Sequence, residues 1–376
     1  MKVDIKVLAL SIIMIAVTIA SSVMYFGHTR AIDAQSYIQL SYFLQGKDGQ
    51  LLEHFASRPL VPALAAVLNQ FFDITKSFGI VNVVFLCLTS LLLFALFSEL
   101  FNDIKLGFFS ALLYPLSFPI ILLGSQVLTD AAGYFFLVLG IYFIEYRFKK
   151  LNLKNFIFAG IIIGLGLLVR DSLFILFIYL FFTILIDRHK YLKKKFSIFY
   201  KVFLTLLIAV LPFALWKYFT NVRSYPILER IRSTIDKIFS LKYFSTFIVR
   251  SMLAFHILWL PAIHGFIIDK DKKRRLYYYK ILLTILPLIA VAYLTLAQNY
   301  NYDLRHTFAL FPIVLPLAAY SLMQIDKKLN SKNLVIIGFI LLYAVISFFG
   351  AYFVPDSPIR DSLIDIKFIE KLFSLF

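Results

Sequence analysis

Apolar runs of membrane-crossing character recur along almost the whole chain, separated by short clusters of lysine and arginine. They lie near residues 7–26, 77–98, 105–124, 130–147, 156–169, 172–187, 197–219, 244–268, 279–297, 307–325 and 333–354. A helical crossing takes about 20 apolar residues, and only helices or closed barrels satisfy their backbone inside a bilayer. The pattern predicts an all-α integral membrane protein: a bundle of about 11 transmembrane helices forming one polytopic domain over residues 1–376. Charged residues make up 16% of the chain, against about 25% in soluble domains.

The formal net charge of +17 would suggest nucleic acid in a soluble protein. Here the basic residues cluster between apolar runs, at Arg147–Lys154, Arg188–Lys201, Lys270–Lys280 and Lys327–Lys332. The positive-inside rule accounts for them, and no basic, aromatic-bearing soluble module is left to bind nucleic acid. The one cysteine, Cys87, lies inside an apolar run, which excludes a disulfide framework and a cysteine-built metal site. The apolar core Val7–Phe26 is longer than the roughly 7–15 residues of a signal peptide's core. It reads as a retained first helix, its start held in the cytoplasm by Lys2 and Lys6.

Placing every later basic cluster in the cytoplasm fixes the topology, with the N-terminus inside and the C-terminus outside the cell membrane. Two consequences follow. The stretch Pro59–Phe72 spans only about 21 Å as a helix, against an apolar core of about 30 Å. It is expected to be a re-entrant or interfacial helix rather than a crossing. The run from Phe156 to Ile186 must be a hairpin turning at Arg170 and Asp171, with arms so short that the turn sits below the outer surface. Charges at that depth need a partner or a wet cavity.

Four polar intervals then share the outer side. The first loop, 27–76, carries Asp33, Asp48, Glu53, His54 and Arg58. The others are GSQVLTD ending in Asp130, an amphipathic loop at 220–243, and QNYNYDLRH with Tyr300, Tyr302, Asp303, Arg305 and His306. The tail at 355–376 repeats the amphipathic pattern and is expected to end the protein without a soluble domain. Asp33 and Asp130 each stand at the start of a helical stretch, where an aspartate commonly serves only as a cap. Glu53 and His54 read as solvated loop residues, and His256 and His264 as satisfied core groups. Tyr300 and Tyr302 suit an interface or a sugar-stacking face.

The chain order is a first helix, an outer loop opening with an acid, then RPLVPALAAVL, then FNDIKLGFFSALLYPLSFPIILLGSQVLTDAAGYFFLVLGIYFIEYRFKK and GIIIGLGLLVRDSLFILFIYLF. Over roughly the first 190 residues, and again at YDLRHTFALFPIVLPLAAY, this resembles the GT-C superfamily of polytopic glycosyltransferases. That superfamily includes protein O-mannosyltransferases, aminoarabinose transferases and oligosaccharyltransferases. The resemblance implies transfer of a sugar from a polyprenyl-phosphate (dolichyl-type) donor to a glycan, lipid or protein acceptor on the extracytoplasmic side. It puts Asp33 at the family's first-loop acid and Asp130 at its second-loop acid, as catalytic residues. Arg58, Arg170, Arg305, His54 and Tyr302 become candidates for holding the lipid phosphate and sugar. The chain departs from the pattern at Ala34, where many relatives carry a paired acid, and at Ala132, where oligosaccharyltransferases carry one. No cofactor is required by the pattern, and a divalent metal is left open.

The chemistry asks for such parts. Attack of an acceptor hydroxyl on a sugar C1, with inversion, needs a carboxylate to take the proton. A departing lipid phosphate needs fixed positive charge, which arginine supplies with two donors. The sequence does not rank Arg58 above Arg170 for that task. Two other readings fit the same residues: a non-catalytic scaffold of GT-C type, and a lipid or solute transporter. Related halves with matching broken helices, common in transporters, are not visible in the chain.

Overall fold

A computed structural model describes residues 4–29, 33–49, 55–148, 151–187, 195–220, 252, 254–299 and 309–353. Helices dominate it and no strand occurs among the described residues. In chain order they are α1 (Ile5–Ser22), α2 (Ala34–Leu44), α3 (Leu60–Leu68), α4 (Ile74–Phe101), α5 (Ile104–Leu112), α6 (Phe118–Leu123) and α7 (Asp130–Tyr142). There follow α8 (Leu153–Leu167), α9 (Ile175–Asp187), α10 (Lys195–Thr220), α11 (Trp259–Ile268), α12 (Lys272–Asn299), α13 (Phe311–Lys328) and α14 (Leu334–Phe353). Each anticipated crossing overlaps at least one of these helices, and Pro59–Phe72 contains only the nine-residue α3. The loop at 221–243 and the tail at 355–376 lie outside the described residues.

Short polar residues start several of these helices by ordinary capping. Asp4 accepts from the Lys6 amide, Asp73 from Thr75 and Lys76, Asp103 from Lys105 and Leu106, and Asn152 from Asn155. Each bond satisfies amides that have no partner within the helix. The expected span 105–124 is broken into α5 and α6. Pro115 and Pro119 remove amide donors there, and Ser117 Oγ donates to the Tyr114 carbonyl within the break. The span 130–147 leaves α geometry at Phe143 and finishes in a π-turn, Phe143–Arg147. This turn sets Glu145 against α12 and α9, where it accepts from Lys280 Nζ at 2.5 Å and Tyr179 Oη at 2.6 Å.

α4 is the hub, packed by α1, α3, α5 and α7, and α6 and α7 are almost wholly buried. α1, α10 and α14 turn large apolar side chains outward, among them Ile12, Phe199 and Leu341. Such surface would be a liability in water and suits lipid. Ile5–Ser22, Ile74–Phe101, Ser197–Thr220 and Leu334–Tyr352 are long and apolar enough to cross a membrane. With these helices and the burial pattern, the chain is a multi-pass membrane protein.

The two ends of the bundle differ chemically. At one end Arg274 lies over the rings of Phe101 and Tyr320, Lys273 over Tyr146, and Lys201 Nζ donates to the Leu151 carbonyl. Described residues of the clusters around 147–154, 195–201 and 270–280 therefore lie at this end. At the opposite end the Gly27 amide donates to Ser125, the Val127 amide to His28, and Tyr25 Oη to the Ala351 carbonyl.

Close helix contacts depend on small residues. An added Cβ at Gly265 would lie 2.1 Å from the Leu317 carbonyl oxygen on α13, whereas at Gly338 nothing lies within 4 Å. Gly265→Ala is expected to force α11 off α13 at a cost of about 1–3 kcal/mol. Gly338→Ala is expected to leave the melting temperature in detergent unchanged or raised. Equal melting temperatures for the two variants would refute this packing.

Candidate functional site

The polar end of the bundle is built on α2 and the segment leading into α3. Asp33 stands at the N-cap position of α2, but its backbone is helical (φ −75°, ψ −16°) and its side chain makes no cap hydrogen bond. That distinguishes it from Asp4, Asp73 and Asp103, each of which is spent on its own helix. Tyr37 follows one turn later, on the same face, and its amide donates to the Asp33 carbonyl.

The segment 55–59 is pinned from several directions. Trp216 Nε1 at the end of α10 donates to the Ala56 carbonyl at 2.6 Å. The Leu60 amide donates to the Leu168 carbonyl at 3.2 Å. Ser41 Oγ and Gln45 Nε2 on α2 reach the carbonyls of Pro62 and Ala66 on α3. These bonds present Arg58 to Tyr37, whose hydroxyl accepts from Arg58 Nη1 at 3.0 Å. Arg58 Nε is buried and meets no acceptor among the described residues. Burial opposes the charge on Arg58, but Tyr37, Asp171 and Asp33 outweigh it and hold its pKa above the ordinary arginine value.

Behind Arg58 lies the GSQVLTD segment, all of it buried rather than open to solvent. Asn82 on α4 holds it by donating from Nδ2 to the carbonyls of Gln126 and Leu128. Ser125 Oγ donates to the Ser22 carbonyl. Thr129, before α7, does not cap it with its side chain; Thr129 Oγ1 lies 3.4 Å from Tyr37 Oη. Asp130 opens α7, where the helix dipole favours negative charge.

Asp130 is paired. Its Oδ1 accepts from Arg170 Nη1, and both side chains are buried, 2% and 7% exposed. Gly133, one turn after Thr129, makes the room, since an added Cβ would lie 2.9 Å from Arg170 Cδ. Arg170 is extended (φ −154°, ψ 130°) and Asp171 begins a short 3₁₀ turn. The two hairpin charges thus part: Arg170 goes inward to Asp130, and Asp171 stays exposed in the electrostatic neighbourhood of Arg58.

The structure thus brings Asp33, Arg58, Asp130 and Arg170 to one end of the bundle. His54, Tyr302 and Arg305 lie outside the described residues, as do Glu53, Tyr300, Asp303 and His306. His256 and His264 sit elsewhere, facing Ser347 and Ser321 at 2.8 and 2.7 Å. Tyr37 and Thr129 were not singled out from the sequence. The one signal for Tyr37 was its position four residues after Asp33.

Among the described residues no three histidine, cysteine, aspartate or glutamate side chains converge as ligands. Asp130 holds Arg170, and Ala132 brings no oxygen to the position two residues on. The described residues do not fit a divalent cation, and no step below runs through one.

Residues 57–216, less than half of the chain, match the family model described as dolichyl-phosphate-mannose-protein mannosyltransferase. No curated protein sequence matches. Among solved structures the chain is similar to the Archaeoglobus fulgidus oligosaccharyltransferase in its apo form. The TM-score is 0.56 and the identity 14%, over 94% of this chain and 56% of that one. The same enzyme in complex with zinc and sulfate gives a TM-score of 0.53 at 15% identity, over 94% and 52%. The chain spans about half the length of these structures. The chain shares the fold of that oligosaccharyltransferase, and residues 57–216 are similar to the mannosyltransferase family.

Breaking the buried pair leaves a charge without compensation. Arg170→Met is expected to destabilise the protein by about 3–5 kcal/mol. Asp130→Asn with Arg170→Met is expected to recover much of that loss. Thermal unfolding in detergent reads both, and a double variant no more stable than Arg170→Met would contradict the pairing.

Proposed function

We propose that this protein is a glycosyltransferase that moves a sugar from a polyprenyl-phosphate donor to an acceptor hydroxyl. The observation that carries the reading is the division of labour among the four charges. Asp130 and Arg170 pair with each other, and Asp33, which does not cap its helix, contributes to the electrostatic field at Arg58. The family match over 57–216 and the fold support the same reaction class.

Asp33 is the base. It takes the proton as the acceptor oxygen attacks C1 of the sugar, and the C1–oxygen bond to the lipid phosphate breaks. A single displacement inverts the anomeric centre. Arg58 takes the departing phosphate: its guanidinium is held by Tyr37 through Nη1 and keeps a buried Nε donor without a partner among the described residues. A charge-assisted bond to an anion is the strong kind. The buried pair ranks Arg58 above Arg170 for this task and gives Asp130 and Arg170 a positioning role. Arg305 adds a second cation to the phosphate, with His54 and Tyr302 on the sugar.

The protein sits in the cell membrane with its N-terminus in the cytoplasm. The end of the bundle carrying Asp33 and Arg58 faces outward. Its partners are the bilayer, the lipid-linked donor and a glycan, lipid or protein acceptor.

Transfer from labelled polyprenyl-phosphate mannose, and then from other lipid-linked hexoses, tests the reading in membranes at matched expression. Asp33→Asn keeps the shape of the side chain and removes the base, so transfer is expected to fall by about 10²–10⁴-fold. Transfer that survives the substitution would remove Asp33 from the mechanism. A wild-type chain that transfers nothing from any donor would favour the scaffold or transporter readings.

A further inference from the structure

Tyr37 touches none of the reacting atoms, yet it stands at the junction of the groups that do. The side chain is buried, with its ring edge-on to Phe55 at 5.5 Å. Its hydroxyl oxygen is within reach of Arg58 Nη1 at 3.0 Å and Thr129 Oγ1 at 3.4 Å. Arginine donates only, so the Tyr37 oxygen must be the acceptor in the first contact. In the second contact either hydroxyl can be the donor. Thr129 is available for it because its side chain does not cap α7. The next residue is Asp130, which holds Arg170. One hydroxyl therefore joins the cation of the first loop to the turn that opens α7.

We propose that Tyr37 is the positioning residue of the transfer site, aiming the Arg58 guanidinium and tying its orientation to the start of α7. The inference rests on the transferase reading and deepens it. Four rotatable bonds separate the Arg58 backbone from its charge, so an arginine without a fixed partner loses orientation. Tyr37 supplies that partner from a helix that also carries Asp33, one turn away. Base and phosphate-binding cation are then set from the same element, and α7 is held in register with both. At 3.4 Å the Tyr37–Thr129 contact is longer than the roughly 2.7–2.8 Å typical between hydroxyls.

Tyr37→Phe deletes the hydroxyl and keeps the ring against Phe55. A lost hydrogen bond to a charged group predicts a rise of about tenfold in the donor KM, with kcat little changed. Thr129→Val is expected to move KM in the same direction by less. A KM unchanged from wild type, or a fall in kcat alone, overturns the proposal.

Unfolding of the purified full chain in detergent gives a readout independent of the reaction. Tyr37→Phe, Arg58→Met and the double variant form a cycle, and coupling predicts a double variant close to the worse single. Additive shifts in melting temperature overturn the proposal whatever the assay gives. A wild-type chain that transfers nothing sinks the transferase reading and, with it, the aiming role. The cycle then still decides whether Tyr37 and Arg58 act as a pair.

Discussion

The Asp130–Arg170 pair is the constraint on which this end of the molecule depends. An unpaired charge in that setting would carry a desolvation penalty of several kcal/mol, and the fold meets it by joining two helix ends. α7 must begin where α8 stops, and Gly133 must be a glycine for Arg170 to pass. With Arg170 committed inward, the Leu168 carbonyl falls beside the Leu60 amide and α3 is docked. Thr129, carried along by Asp130, comes to Tyr37. A buried pair of this kind adds little net stability beyond what it cost to bury. It specifies an arrangement, and here the arrangement is the candidate site.

Much of this was legible in the chain. The apolar runs between basic clusters announced an all-helical, multi-pass membrane protein, because a crossing needs a long apolar helix and the charge rule explains what separates the runs. The short helix after Arg58 and the hairpin at Arg170 followed from the same counting. The division among the acids was not legible. Asp33 and Asp130 both begin helices, and nothing local says that one carboxylate goes to Arg170 while the other leaves its helix uncapped. Partners forty residues apart carry no periodicity. Tyr37 was hidden by abundance: the chain has 22 tyrosines, and interfacial tyrosines are expected in a membrane protein. The Glu145–Lys280 contact depends on a π-turn, which shifts one side chain across a helix face and leaves no mark in hydropathy.

The hydrogen bond from Trp216 to Ala56 has a consequence for biosynthesis. Membrane helices enter the bilayer as the ribosome delivers them, N-terminal segments first. The loop that carries Arg58 emerges early, but the group that closes over it arrives 160 residues later, at the end of α10. Leu60 likewise waits for Leu168. Until then the acidic and basic side chains of the first loop have none of the long-range clamps that shape them. The site is therefore assembled by the insertion of α8 and α10, not by the loop itself. The segment that carries Arg58 reaches its final contacts only after most of the helices have been made.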